Sequence, residues 1–511
     1  MKRCSGIIMS VSSLPSPYGI GTFGRAAYDF TDFLASAGQS VWQILPLGPT
    51  GYGDSPYQSF STYAGNPYFI DLDMLAEEGL LTQEEIAACD WGSNPRYVDY
   101  GKLYESRFLL LEKAKERVWE AARPEVEAFV REHNRWLPDY TLFMACKKHF
   151  GMRPWYEWPE DIRLRKSPGI LAEYRERLKD DIELYTYIQY LFFRQWEKLK
   201  AYIHEKDIRI IGDVPIYVAM DSADVWSEPW FFQLDEKNVP LAVAGVPPDY
   251  FCEDGQLWGN PLYRWDKMKE DGYGWWIRRI DGAGKLYDII RIDHFRAFDT
   301  YWSVPRDSET ARTGHWCPGP GMELINIFNN WFPQLEFIAE DLGAPMKSVK
   351  KLLKDSGWPG MKVLEFAFDP REPSDYLPHK HTENCICYTA THDNEPIMLW
   401  KEGLPEEALA YVKEYLHITD DEPFNWAIIR TGMMSVSKLF MVLMQDYLGL
   451  GRYHTMNNPG ISEGNWQWRL LAGEASPELA EKIRHLTFLY ERMERPKAEE
   501  AEEAEAEVSG M

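Results

Sequence analysis

Eight short apolar segments, distributed along most of the chain, constrain its fold more than any other feature. Each segment ends in polar residues, glycine or proline, and longer segments with helical periodicity separate them. They are GIIMSVSSLP, SVWQILPLGP, IRIIGDVPIYV, YDIIRIDHF, LEFIAEDLG, GMKVLEFAF, CICYTATHDN and FMVLMQDYLGL. Strands of a parallel sheet are buried on both faces, so this pattern is typical of strands that alternate with helices. Eight such units predict an α/β fold, a (β/α)8 TIM barrel.

Two segments between the predicted strands are too long for simple connections and indicate inserted structure. The first, at about 73–203, contains apolar residues at helical spacing, so we predict a mostly helical insertion. These residues are Tyr104, Phe108, Leu111, Ala114 and Val118. The second, at about 221–285, is rich in Trp, Pro and Gly with little periodicity, and we predict a loop-rich insertion. The prediction is one catalytic barrel domain over 1–495, followed by an acidic, disordered tail over 496–511.

The composition disfavours several classes of protein. A formal net charge of -25 repels a phosphate backbone, so we do not expect nucleic acid as a partner. No apolar run approaches the roughly 20 residues of a membrane span, and the first apolar patch is too short for a signal peptide. The seven cysteines include no CxxC pair, which disfavours a disulfide framework or a zinc site. These features predict a cytoplasmic protein without membrane association.

The glycines of GIGTFG imitate a dinucleotide-binding fingerprint. Gly19, Gly21 and Gly24 match the GxGxxG spacing and precede a plausible helix. The fingerprint requires the glycines directly after a strand and an acidic residue at the end of the next strand. Pro15 and Pro17 separate the glycines from the first strand, and the second strand ends without a carboxylate. We therefore disfavour dinucleotide binding.

Acidic residues end four of the apolar segments. They are Asp213, Asp293, Glu340 with Asp341, and Asp393. A buried charge is costly unless it is paired or functional, and the carboxyl ends of the strands form the catalytic face of barrel enzymes. Four such acids on one face predict a catalytic site there.

The spacing of these acids indicates how they are tuned. Arg291 and Asp293 are two residues apart on a strand and point to the same side, so the guanidinium is expected to keep Asp293 ionised, as a nucleophile requires. Neighbouring carboxylates disfavour ionisation of Glu340, which would keep it available as a proton donor. Two carboxyl groups with opposite tuning are what glycoside chemistry needs.

Other side chains fit a sugar site. The chain has 21 Trp, 29 Tyr and 24 Phe, many in polar, Gly- and Pro-rich segments, and Trp258 in GQLWGNP is the candidate for stacking on a sugar ring. His294 and His392 stand beside candidate catalytic acids and admit two roles, metal ligation or hydrogen bonding to substrate hydroxyls. Of these, the sequence favours hydrogen bonding, with no catalytic metal.

The motifs that contain these residues resemble those of the amylomaltase-type 4-alpha-glucanotransferases, glycoside hydrolase family 77. The resemblance extends from SSLPSPYGIGTFG to NWQWR and includes GDSPYQSFSTYAGNPYFIDL, GDVPIYVAMDSADVW, RIDHFRAF, IAEDLG, YTATHDN and QDYLGLG. It implies a barrel with inserted subdomains and retaining transfer of α-1,4-glucan segments, without a metal or organic cofactor. The implied partners are maltooligosaccharides and α-1,4-glucans derived from starch or glycogen; the oligomeric state stays open.

The resemblance also assigns roles. It implies Asp293 as nucleophile, Glu340 as general acid/base and Asp393 as stabiliser of the transition state. The residues implied to bind substrate are Ser55, Tyr57, Asp213, Asp249, Tyr250, Phe251, Gln256, Trp258, Arg291, His294, Asp341, His392 and Asn457. Those at 249–251 belong to PPDYF, which resembles the family's mobile loop over the cleft.

The chain departs from the family's motifs at three places. YLPHK stands for YLPHN, THDNE for THDND, and TMN for RMN before the predicted binding asparagine. These departures bear on outer subsites and chain-length preference, not on the three catalytic acids.

Two alternatives remain open. One is an α-amylase-like hydrolase that uses the same acids with water as the acceptor, and the other is a carbohydrate-binding protein that has lost catalysis.

Overall fold

The computed structural model describes residues 2–51, 53–248, 253–343, 346–459, 461 and 463–494. The predicted tail over 496–511 lies outside these residues. The described strands are β1 (Cys4–Ile8), β2 (Val41–Gln43), β3 (Arg209–Val214), β4 (Ala242–Val246), β5 (Gln256–Pro261), β6 (Ile289–Ile292), β7 (Thr300–Pro305), β8 (His315–Pro318), β9 (Glu336–Ala339), β10 (Gly360–Val363), β11 (Cys385–Tyr388) and β12 (Leu439–Leu443).

The described helices lie mainly between these strands. They are α1 (Arg25–Ser36), α2 (Leu72–Glu77), α3 (Gln83–Ala87), α4 (Tyr100–Glu132), α5 (Leu137–His149), α6 (Glu160–Arg163), α7 (Pro168–Arg177), α8 (Lys179–Glu205), α9 (Ala223–Ser227), α10 (Trp265–Glu270), α11 (Gly274–Leu286), α12 (Met322–Trp331), α13 (Lys347–Ser356), α14 (Ile397–Gly403), α15 (Glu406–Leu416), α16 (Phe424–Met434), α17 (Met444–Tyr447) and α18 (Pro477–Leu489).

Eight parallel strands form a nearly closed barrel. Their order is β10-β11-β12-β1-β2-β3-β6-β9. The amide of Ala339 in β9 donates to the carbonyl of Pro359, which precedes β10, at 3.0 Å and links the two edges. These are the eight strands that the apolar segments predicted, so the (β/α)8 TIM barrel is confirmed.

The barrel interior explains why polar side chains at the strand ends share one site. Below them lies an apolar layer that includes Ile8, Val41, Ile211, Ile289, Ile338, Met361, Val363, Ile386, Tyr388 and Leu439. In β3 and β6, Asp213 and Arg291 follow inward-facing isoleucines by two residues, and the two are register partners. The alternation of side chains along a strand therefore places both on the inner side, above the apolar layer.

Helices α2 to α8 lie between β2 and β3. The 33-residue helix α4 packs with α8, which also packs against α5. Leu111 and Ala114 of the predicted apolar stripe are buried, but Tyr104 is 49% exposed. The buried face of α4 includes Leu103 and Leu110 as well, so it is centred one residue away from Tyr104. None of the described helices is both long and apolar enough to cross a membrane.

The second insertion, predicted as loop-rich over about 221–285, also contains regular strands. It contains β4 and β5, and these join β7 and β8 in a four-stranded antiparallel sheet of order β5-β4-β7-β8. The register shifts between Val243 and Gly245, and a Cβ at Gly245 would lie 2.4 Å from the carbonyl of Gln256. Such a bulge interrupts the alternation of inward- and outward-facing side chains by which a strand is recognised in a sequence. The second pairing partner of β4, β7, is also distant in sequence, so local patterns did not predict this sheet.

Candidate active site

The predicted catalytic acids lie at the carboxyl ends of the barrel strands. Asp213 is the penultimate residue of β3, Asp293 directly follows β6, and Glu340 directly follows β9. His392 and Asp393 belong to the segment between β11 and α14. This is the end of a parallel barrel at which enzymes of this fold place their chemistry.

Arg291 is the buried cation of the site. Its Nη1 donates hydrogen bonds to Asp213 and, at 3.1 Å, to Oδ1 of Asp293, as the two-residue spacing predicted. Burial nevertheless raises the pKa of Asp293 to about 6, because the loss of hydration outweighs the attraction of Arg291. The sequence-based expectation that Arg291 sets the pKa of Asp293 is therefore wrong, although Asp293 is still ionised above about pH 6.

Glu340 is held by two main-chain amides. The amide of His294 donates to its Oε2 and that of Leu342 to its Oε1, both at 2.8 Å. Burial raises the pKa of Glu340 to about 8, with a further contribution from Asp293 and opposition from Arg291. The direction agrees with the sequence-based expectation, but its main cause is burial rather than neighbouring carboxylates. Glu340 therefore carries a proton at neutral pH.

An unusual backbone conformation supplies one of those amides. His294 has φ 51°, in the left-handed region that few residues other than glycine adopt. Its amide thereby faces Glu340. Burial lowers the pKa of the His294 imidazole to about 4, with Arg296 as a second cause, so this ring is neutral at pH 7. A neutral imidazole can both donate and accept hydrogen bonds with a sugar hydroxyl.

Tyr57 joins the two sides of the site. Its hydroxyl donates to Oδ2 of Asp213 at 2.7 Å and lies 2.7 Å from Nε2 of His392. Its ring stacks on the His392 ring, with centroids 5.2 Å apart. Burial and the charge of Asp213 raise the pKa of Tyr57 well above its ordinary value, so the phenol remains a donor.

Asp393 is tuned in the direction opposite to Glu340. Asn457 Nδ2 donates to its Oδ1 at 2.7 Å, and His392 Nε2 lies 3.2 Å from its Oδ2. Burial favours the protonated acid, but His392 and Asn457 together lower the pKa of Asp393 to about 2. In turn Asp393 raises the pKa of His392 against the effect of burial. The Asp393 side chain is 40% exposed, so an ionised carboxylate faces the cleft.

The predicted sugar-stacking residue lies beside this centre. Trp258 on β5 has its ring centroid 4.9 Å from that of His294, edge to face. Its Nε1 donates to Oε1 of Gln256 at 3.0 Å, which fixes the indole on the strand. Strand β5 therefore brings Gln256 and Trp258 to the catalytic end of the barrel.

The remaining predicted residues differ in their relation to the site. Ser55 Oγ accepts from the amide of Tyr57 at 3.3 Å and supports the turn before it. Asp341 Oδ1 accepts from the amide of Met361 in β10 at 2.8 Å, so this carboxylate connects two barrel segments. The predicted mobile-loop residues Asp249, Tyr250 and Phe251 lie outside the described residues.

The structure adds two residues that sequence reasoning did not single out. Trp466 packs against Tyr57 and His392, with ring centroids at 5.6 and 6.1 Å. Asp446, fully buried after β12, accepts from the hydroxyl of Thr389 at 2.6 Å and from the amide of Ile397 at 2.8 Å. It therefore holds both ends of the segment that carries His392 and Asp393. The sequence did contain a signal for both residues, because Trp466 lies in the motif NWQWR and Asp446 in the motif QDYLGLG.

No grouping of three or more His, Cys, Asp or Glu side chains suited to a metal ion occurs in the described part of the chain. The expectation that the chain needs no metal or organic cofactor stays a prediction.

The chain is similar to known proteins over nearly its whole length. A family model described as 4-alpha-glucanotransferase matches residues 9–473. The 4-alpha-glucanotransferase of Clostridium butyricum is 46% identical over 489 residues, which cover 95% of this chain and 100% of that protein. That of Thermus thermophilus is 45% identical over 504 residues, covering 96% and 100%. A solved amylomaltase from Streptococcus agalactiae, in complex with acarbose, has a TM-score of 0.94 at 43% identity and covers 96% of this chain and 100% of that chain.

Proposed function

The chain belongs to the 4-alpha-glucanotransferase family, and from this premise we propose that its clustered acids transfer α-1,4-glucan segments with retention of configuration. It is a hexosyltransferase that moves glucan segments from a donor to an acceptor. One feature supports the proposed chemistry above all: three acids at one end of the barrel are tuned differently. Burial raises the pKa of Glu340 to about 8 and that of Asp293 to about 6, whereas His392 and Asn457 lower the pKa of Asp393 to about 2.

The first step cleaves the donor. The carboxylate of Asp293 attacks the anomeric carbon while Glu340 donates its proton to the departing glycosidic oxygen. The bond between the anomeric carbon and that oxygen breaks, and a covalent glucosyl ester forms on Asp293. A retaining reaction of this kind requires the two carboxyl groups to lie about 5 to 5.5 Å apart.

The second step transfers the glucosyl group. The Glu340 carboxylate accepts the proton of the acceptor's 4-hydroxyl, the hydroxyl oxygen attacks the anomeric carbon, and the ester on Asp293 breaks. Two successive inversions give net retention. Asp393 stays ionised throughout because of its low pKa, so its charge stabilises the positive charge that develops on the sugar in both transition states.

Four further side chains hold the sugar at the cleavage point. We assign this role to Asp213, Arg291, His294 and His392, since they surround the acids with hydrogen-bonding groups on the barrel face. Trp258 offers an aromatic face on the acceptor side. The substrates we propose are maltooligosaccharides and α-1,4-glucans from starch or glycogen.

The nature of the acceptor separates this proposal from its rival. An α-amylase-like hydrolase would use the same acids with water as the acceptor, but membership in the transferase family disfavours it. A single catalytic domain over 1–495 and a cytoplasmic location complete the proposal.

Incubation of the purified protein with maltotriose tests the function. We expect free glucose together with a ladder of longer maltooligosaccharides by chromatography. Asp293→Asn and Glu340→Gln should each lose orders of magnitude in turnover while remaining folded. Glucose and maltose alone would show hydrolysis instead, and binding without any turnover would indicate a carbohydrate-binding protein.

A further inference from the structure

A concave pocket of about 790 Å³ opens on the second insertion. Its lining includes Trp230, Leu234, Glu236, Asn238 and Arg264. None of these residues belongs to the catalytic site described above. We propose that this pocket is a second binding site for α-1,4-glucan chains, separate from the catalytic cleft. The inference rests on the proposed function, because the ligand is the enzyme's own substrate class.

Trp230 is the first reason. Its side chain is 56% exposed, whereas Trp226 and Trp275 of the same insertion are completely buried. A large apolar ring left open to water in a concave surface loses the stabilisation that burial would give it. The flat indole face matches the C–H face of a glucose ring, so a bound glucan would cover this surface.

The polar rim is the second reason. Oδ1 of Asp235 accepts from the amides of Lys237 and Val239 at 2.8 and 2.9 Å, which builds a defined turn at the edge of the pocket. That turn carries Glu236 and Asn238, whose side chains make no hydrogen bond within the described residues. Their carboxylate and amide groups are therefore free to bind hydroxyls that project from the edge of a sugar ring.

The charge of the lining favours a neutral ligand. Two acids, Asp235 and Glu236, are balanced by two cations, Lys237 and Arg264. A phosphorylated ligand or a nucleic acid would require an excess of positive charge, which the pocket lacks. The volume lies within the range of roughly 300 to 1,000 Å³ that is usual for small-molecule sites.

The position of the pocket suggests how it serves catalysis. The turn at the pocket edge ends where Leu234 and Pro240 form an isolated β-bridge, and β4 begins two residues later. At the other end of β4, Val246 pairs with Gln256, a predicted substrate-binding residue. β4 has five residues, so its two ends lie four residue steps, about 13 Å, apart. A long glucan held in the pocket raises the local concentration of chain ends near the cleft, whereas maltotriose is too short to gain from this.

The test compares Trp230→Ala with Trp331→Ala, a control that removes another indole, 63% exposed on α12. We measure retention in native gels that contain amylose, using Asp293→Asn as the common background to prevent turnover. In the otherwise wild-type enzyme we measure transfer with maltotriose and with amylose. Trp230→Ala should weaken amylose binding and raise the KM for amylose by about fivefold, with kcat/KM for maltotriose within twofold of wild type. Trp331→Ala should change neither, and Trp230→Phe should retain part of the binding.

Three results would overturn the inference. If Trp230→Ala in the Asp293→Asn background is retarded in amylose gels as strongly as Asp293→Asn alone, the proposed binding site does not exist. A changed oligomeric state in gel filtration, with unchanged amylose affinity, would identify the pocket as a protein contact. Loss of maltotriose transfer in Trp230→Ala would mean that the substitution acts through the cleft. Absence of maltotriose transfer in the wild-type enzyme is a different result, because it would overturn the proposed function itself.

Discussion

Removing one hydroxyl group tests whether the active-site network works as a unit. Tyr57→Phe deletes the hydroxyl that donates to Asp213 and contacts His392, both at 2.7 Å. The ring remains, so its stacking on His392 at 5.2 Å and its packing on Trp466 at 5.6 Å are retained. The change therefore isolates the hydrogen bonds from the packing.

The size of the effect follows from these contacts. A hydrogen bond to a charged partner contributes roughly 1.5 to 3 kcal/mol, and about 1.4 kcal/mol corresponds to a factor of ten. Asp213 is buried, and its other carboxylate oxygen has no hydrogen bond among the described residues. Loss of the hydroxyl leaves Arg291 as the remaining hydrogen-bond donor to Asp213, so the buried carboxylate is less well solvated where the sugar binds. We expect kcat/KM for maltotriose to fall by about 10- to 100-fold.

The assay is transfer from maltotriose, with glucose release followed over time, and the unfolding midpoint recorded for each variant. Tyr156→Phe is the matched control, since that tyrosine is 41% exposed and its hydroxyl makes no hydrogen bond within the described residues. It should behave as wild type in both measurements. A Tyr57→Phe enzyme within twofold of wild-type kcat/KM would refute the reasoning that this hydroxyl supports the catalytic centre.

Three further predictions concern the same scaffold. Activity should fall when the pH drops below about 6, the pKa of Asp293, because the nucleophile becomes protonated. Activity should also fall when the pH rises above about 8, the pKa of Glu340, because the general acid loses its proton. A flat activity profile across pH 5 to 9 would contradict both assignments. Asp446→Ala should lower kcat more than tenfold because it frees both ends of the segment bearing Asp393, while Asp446→Asn, which can still bond both ends, should retain most activity. Arg492→Met should cost roughly 3 kcal/mol of stability, measured by denaturant unfolding, because the buried carbonyls of Cys4 and Ser437 lose a charged donor, whereas Arg3 still donates to those of Met433 and Ser435; an unchanged midpoint would contradict this.

Much of the fold was readable from the sequence because barrel strands are local signals. Each is a short apolar run, and an acid after such a run, as at Asp293 or Glu340, stands out as a costly exception. The resemblance of the motifs then supplied roles for these acids. The four-stranded sheet was missed because β5 is partly exposed, β4 is bulged at Gly245, and β4 also pairs with β7, which is distant in sequence.

The balance of electrostatic effects was also not readable. The sequence indicates that Arg291 lies near Asp293, but only the structure shows that burial outweighs this attraction. Likewise, the supporting role of Asp446 depends on two hydrogen bonds across residues 389 to 397, which no local pattern encodes. Contacts between distant segments decide both cases.

The covalent intermediate is the most direct test of the central claim. Glu340→Gln should still react with a maltotriosyl fluoride, since fluoride departs without a proton donor, but it lacks the base for the second step. Acid quenching, protease digestion and mass spectrometry should then locate a glycosyl ester on Asp293. An ester on Asp213 or Asp393, or no ester together with products of inverted configuration, would contradict the mechanism.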